Sequence, residues 1–149
     1  MRAVPARVRG CGSLITMDRL PDLHTSLLIR TDFADPAGWD AVRTAVTTPN
    51  EDDFLPNLHV VDDPAYRDAT ADQLIALAPE WALLVLADRT ALASAELPLL
   101  VVRVSPRVNG RLRVVAEHLW SIENNISLAN MDWEEFTASA DEDGVFRGF

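Results

Sequence analysis

Ser26-Leu27-Leu28-Ile29-Arg30-Thr31-Asp32-Phe33, followed by Ala34-Asp35-Pro36, is the segment from which the architecture of the chain can be worked out. Its unbroken apolar run fits a strand covered on both faces rather than one with a solvated side. Asp35 then supplies a helix N-cap and Pro36 a favoured first helical residue. A buried strand running straight into a capped helix is the opening unit of an α/β domain.

The same phrase recurs downstream. Trp39, Val42 and Val46 repeat at helical spacing, and the helix is expected to end near Thr47 to Pro49. Leu58-His59-Val60-Val61 then runs into Asp62-Asp63-Pro64 as a second strand. Thr70 is placed to cap a helix with an inward face of Ala71, Leu74, Leu77 and Ala78, and Pro79 ends it. Trp81-Ala82-Leu83-Leu84-Val85-Leu86-Ala87, closed by Asp88, reads as the central strand, with Trp39 and Trp81 in the core. After a short helical segment, Pro98 to Val104 forms a fourth strand. Arg111 to Val115, which alternates polar with apolar residues beyond an Asn109-Gly110 turn, forms a fifth at the edge. Helical crossovers make the first three strands parallel. The expectation is therefore a single α/β domain over residues 17–149, with a mixed sheet of about five strands, three parallel and the last two a hairpin, and helices on both faces.

Near the end, Asp132 with Glu135 three residues on marks a capping box for a terminal helix. Phe146 and Phe149 predict a tail that docks on the domain. Residues 1–16 lack a signal-peptide core, and the expectation is a disordered extension with Met17 as the natural start.

Composition narrows the function. The chain has 149 residues and a net charge of -10, and all 13 basic residues are Arg. Without Lys there is no Schiff-base, P-loop or phosphorelay-receiver lysine. The negative charge argues against nucleic acid and anionic lipid as partners and favours a basic protein. No apolar run approaches the roughly 20 residues of a membrane span. Cys11 is the single cysteine, so no disulfide forms within the chain and a reducing cytoplasm is the expected setting. His24, His59 and His118 lack metal-ligand spacing, and neither a metal nor a cofactor is expected.

Two groups of residues are candidate sites. Asp32, Asp62, Asp63 and Asp88 follow the parallel strands, at the end of the sheet where open α/β folds bind ligands. With Arg30 and Arg147 as anion contacts they could form a polar cleft for a small anion or metal-bound phosphate. Asp after a strand also starts turns and caps helices, which is the simpler use of it. Asn124, Asn125, Asn130 and Asp132, with Trp120 and Trp133, form a second, polar and aromatic cluster that could serve as an interface.

The segments Leu28-Ile29-Arg30-Thr31-Asp32-Phe33 with Trp39, Asn125 to Phe136, and Asp143-Gly144-Val145-Phe146-Arg147-Gly148-Phe149 resemble an uncharacterised bacterial domain family seen mainly in actinobacteria. The resemblance covers about residues 17–149. It implies a compact domain and carries no activity. The leading expectation is thus a non-enzymatic, cytoplasmic interaction module of immunity or regulatory type for a basic protein; the alternative is a small-anion or metal-dependent phosphate-binding protein or enzyme that uses the acidic cleft at the carboxyl ends of the parallel strands.

Overall fold

The structure, a computed structural model, describes residues 6–10, 13–107 and 109–149, with side chains from Met17 onward. Its centre is the predicted strand, β3 (Ser26–Arg30), which leads through Asp35 into α1 (Pro36–Thr47). The Asp35 carboxylate accepts the Gly38 N–H at 2.9 Å, which is the N-cap bond the sequence implies. α1 returns the chain to β4 (Leu58–Val61), parallel to β3 on one side. A 3₁₀ turn (Pro64–Tyr66) and α2 (Ala71–Leu77) carry it back over β3 to β5 (Leu83–Ala87), parallel to β3 on the other side. α2 begins with a full capping box of Thr70 and Gln73.

The first crossover runs from β3 out to β4 and the second returns from β4 past β3 to β5 on the opposite face, so a topological switch point lies between the carboxyl ends of β3 and β5. A short α3 (Arg89–Leu92) precedes β6 (Pro98–Arg103), which is antiparallel to β5 and forms a hairpin with β7 (Gly110–Val115). The chain closes with α4 (Leu119–Ser127), α5 (Trp133–Ala138) and β8 (Val145–Phe146).

The sheet order is β4-β3-β5-β6-β7-β8, six strands rather than about five. The difference is at the tail. β8 pairs parallel to β7 through Arg113 with Val145 and Val114 with Phe146, so β7 is an interior strand and not the edge. Two residues make a weak signal on their own. Phe146 is fully buried in edge-to-face contact with Phe136, centroids 5.3 Å apart, and burying such a ring contributes about 1.5–3 kcal/mol. The ring holds the strand in place.

Alternation along the strands divides the core into two layers. Leu28, Val85, Val101 and Val114 face α1, α4 and α5, whereas Leu27, Ile29, Leu84, Leu86 and Val102 face α2 and the segment around Met17 and Leu20. Of the expected extension, residues 1–5 and 11–12 lie outside the described residues. In the described part of this segment, β1 (Ala6–Gly10) pairs antiparallel with β2 (Ser13–Met17).

Two tryptophans lie elsewhere than their sequence context suggests. Trp81 is not in the core. β5 starts two residues later, and Trp81 occupies a Pro79–Ala82 turn at φ 64°, 67% exposed. Trp133 is the opposite case. It is buried at the start of α5, with its indole against Gly110, where any Cβ would collide with the ring. It therefore cannot serve as an interface residue.

Candidate functional site

The carboxyl edge of the sheet carries the predicted polar residues, and each is held by its own neighbour. Arg30 Nη1 donates to Asp62 at 3.3 Å and Nε donates to the Asp32 carbonyl at 3.3 Å, while the guanidinium lies 4.4 Å from the Phe33 ring centroid. The Asp32 carboxylate accepts the Ala34 N–H at 2.9 Å, and Asp63 accepts the Ala65 N–H at 2.9 Å to cap the 3₁₀ turn. Asp88 caps α3 through the Ala91 N–H at 3.1 Å and takes both arms of Arg113 at 2.7 and 2.8 Å. These are turn-starting and capping bonds, made because a short carboxylate after a strand reaches the next free amide.

The N–H groups of Thr31 and Asp32 donate to the Ala87 carbonyl at 3.1 and 3.3 Å, tying the two strand ends together where a ligand crevice would open. Arg147 sits apart, beyond β8, bound to Glu96, Asp141 and Asp143. The hydrogen bonds from Arg147 hold the Asp143 carboxyl below the usual aspartate range, and the three carboxylates, Asp143 first, raise the Arg147 pKa. The six residues do not converge on a shared cleft. Among the described residues no three His, Cys, Asp or Glu side chains gather to hold a metal ion.

The second predicted group divides in a similar way. Asn125 Nδ2 donates to the Ser121 carbonyl at 2.8 Å, and the Asn125 carbonyl accepts the Asn130 N–H at 2.9 Å, closing the turn after α4. The Asn124 carbonyl accepts the Leu128 N–H at 3.1 Å in the same turn. Asp132 caps α5, its own N–H donating to Glu135 at 2.8 Å. Asn130 and Asp132 are exposed, and Trp120 is half-buried. Its indole stacks on Phe54 with centroids 5.0 Å apart and planes 9° from parallel. The pair lines a groove of about 550 Å³ between the end of α1 and the start of α4. Glu51, Asp52 and Glu117 line the same groove, and no arginine does. Phe54 and Leu55 beside it are 47% and 40% exposed.

A further groove of about 500 Å³ opens at the opposite end of the sheet, below the first residues of β3 and β5 and the last of β6. The turn between α4 and α5 forms one wall. Behind it lies a carboxylate that sequence reasoning passes over. Glu123 of α4 is 2% exposed and accepts from the Ser26 hydroxyl at 3.2 Å, from the Ser127 hydroxyl and from the Asn57 N–H. It ties α4 to the amino ends of β3 and β4. Leu119, Ile122 and Ile126 recur at helical spacing and could have revealed α4. Nothing in the sequence marks Glu123 as buried, because glutamate is ordinarily exposed.

The chain belongs to the family described as Domain of unknown function (DUF6924), which it matches over residues 25–149. The match begins at the threshold of β3 and takes in the whole six-stranded sheet. No curated protein and no solved structure matches the chain.

Proposed function

We propose that this member of a family with no assigned chemistry is a non-enzymatic, cytoplasmic interaction module, of immunity or regulatory type, that binds a basic protein partner through the Phe54–Trp120 groove. The observation that carries the reading is the stacked aromatic pair open on a groove lined by Glu51, Asp52 and Glu117, with His118 and no arginine beside them. Tryptophan with apolar neighbours is the usual make-up of an interface hot spot, and carboxylates around it select and steer a cationic partner. A net charge of -10 extends that steering over the molecule. The alternative, a small-anion or metal-bound phosphate site at the strand ends, draws no comparable support, since its carboxylates already cap turns or pair with arginine.

The test is capture from the source lysate at low ionic strength by wild type, Trp120→Ala and Glu51→Gln/Asp52→Asn/Glu117→Gln. A stoichiometric basic protein retained by wild type, released by salt and lost from both variants supports the reading. Absence of such a partner, or capture equal in all three folded proteins, overturns it.

A further inference from the structure

Four arginines among the described side chains are half-buried: Arg30, Arg103, Arg113 and Arg147. Arg30, Arg113 and Arg147 each meet a carboxylate. Arg103 has no carboxylate partner among the described residues, and the residues outside the description contain no Asp or Glu that could supply one. The planar fork of donors on such a guanidinium matches a carboxylate. Arg103 ends β6 and lines the 500 Å³ groove at the amino ends of the parallel strands. The carboxyl end of α4 beside it contributes partial negative charge but no hydrogen bond to the guanidinium.

A second, separate feature stands on the adjoining strand. Leu83 of β5 is the register partner of Arg103, and the Val104 N–H donates to the Ala82 carbonyl at 2.8 Å. Trp81 therefore flanks the same groove. Its φ of 64° is the conformation that turns of this kind reserve for Gly or Asn, and for a bulky side chain it is an outlier. The strained backbone presents an indole that stays 67% exposed, so packing within the domain does not account for the residue. Ile126 and Met131 add apolar wall, and the volume is within the usual range for small-molecule sites. Asp22, Glu80 and Asp132 also line the groove and would repel a polyanion.

We infer that this groove binds a small organic monocarboxylate with a flat apolar body, the carboxylate on Arg103 and the flat face on the Trp81 indole. The site is separate from the Phe54–Trp120 groove and does not depend on its assignment.

The experiment follows the indole N–H signals of the full chain by NMR during titration with 2-naphthoate and with its neutral isostere 2-naphthamide. The expected result is a saturable shift of the Trp81 signal with 2-naphthoate, at least tenfold weaker binding of the amide, and loss of the shift in Arg103→Gln. Arg103→Gln should melt no lower than wild type, whereas an arginine kept to support α4 would lower the melting temperature when removed. Trp81→Gly provides the second variant, with binding lost and the fold intact. Equal binding of acid and amide, a shift that survives Arg103→Gln, a response at Trp120 alone, or no saturable response overturns the assignment.

Discussion

Asp88 offers the sharpest test of whether the strand-end carboxylates are structural. It performs two separable tasks, capping α3 through the Ala91 N–H and neutralising Arg113. The cap is worth about 1 kcal/mol. Breaking a fully buried ion pair by removing one partner costs about 3–5 kcal/mol, largely for the charge left behind. Here the side chains are 25% and 23% exposed and Arg113 keeps its bond to the Pro98 carbonyl at 3.1 Å, so about 2 kcal/mol is the reasonable share. Asp88→Ala should then lose about 3 kcal/mol, lowering the melting temperature by roughly 6–12 °C for a chain of this size. Asp88→Asn keeps a capping oxygen and should lose only about 1–2 kcal/mol. Combining Asp88→Asn with Arg113→Met removes both charges, and the double variant should fall short of the sum of its singles by about 1 kcal/mol or more. Urea unfolding followed by far-ultraviolet circular dichroism measures all four. Additive singles would show that the pair is not coupled. An Asp88→Ala protein as stable as wild type, or more so, would mark Asp88 as a residue retained for chemistry and refute the structural reading.

Glu123→Ala should cost about 3–5 kcal/mol in the same assay, since it leaves the Ser26 and Ser127 hydroxyls and the Asn57 N–H without their acceptor behind a buried helix. Glu123→Gln should retain part of that stability, and equal losses in the two variants would count against the hydrogen-bond account. Stability should also depend on pH at both extremes. Arg147 lowers the folded Asp143 pKa, so this contribution is present above the ordinary carboxyl value of about 4 and is lost as pH falls through the lowered one; Asp143→Asn should flatten the acid limb. Burial first, then Asp63 and Asp18, raises the Tyr66 pKa, so its contribution is complete below about pH 10 and lost as pH rises through the higher folded value. Tyr66→Phe should reduce the alkaline loss while giving up about 0.5–1.5 kcal/mol for the hydroxyl bond to the Asp18 carbonyl.

Strands whose apolar residues run without interruption, Ser26–Arg30 and Leu83–Ala87, and helices opened by Asp35, Thr70 and Asp132 were legible because their signals are local. A cap is a bond to an amide two or three residues away, and a fully covered strand carries its burial in its own composition. The parallel order of the first three strands followed from their helical connections, since crossovers of one hand leave little choice. Trp81 and Trp133 were misplaced because a tryptophan's apolar body serves a core or an interface equally well. A chain reversal two residues before β5 turned one outward, and the close approach of Gly110 admitted the other.

The candidate site divides along the same physical line. Short carboxylates after strands, and hence the residues that cap helices and start turns, could be read from the chain order, because that chemistry acts within three or four residues. Packing of the chain was needed to bring Asp88 to Arg113 across 25 positions and Glu123 to Ser26 across 97, to cover β7 with β8, and to leave Arg103 on a groove with no carboxylate in ion-pair contact. Ion pairing, burial and open volume depend on which distant segments arrive at one place, and packing of the whole chain sets that.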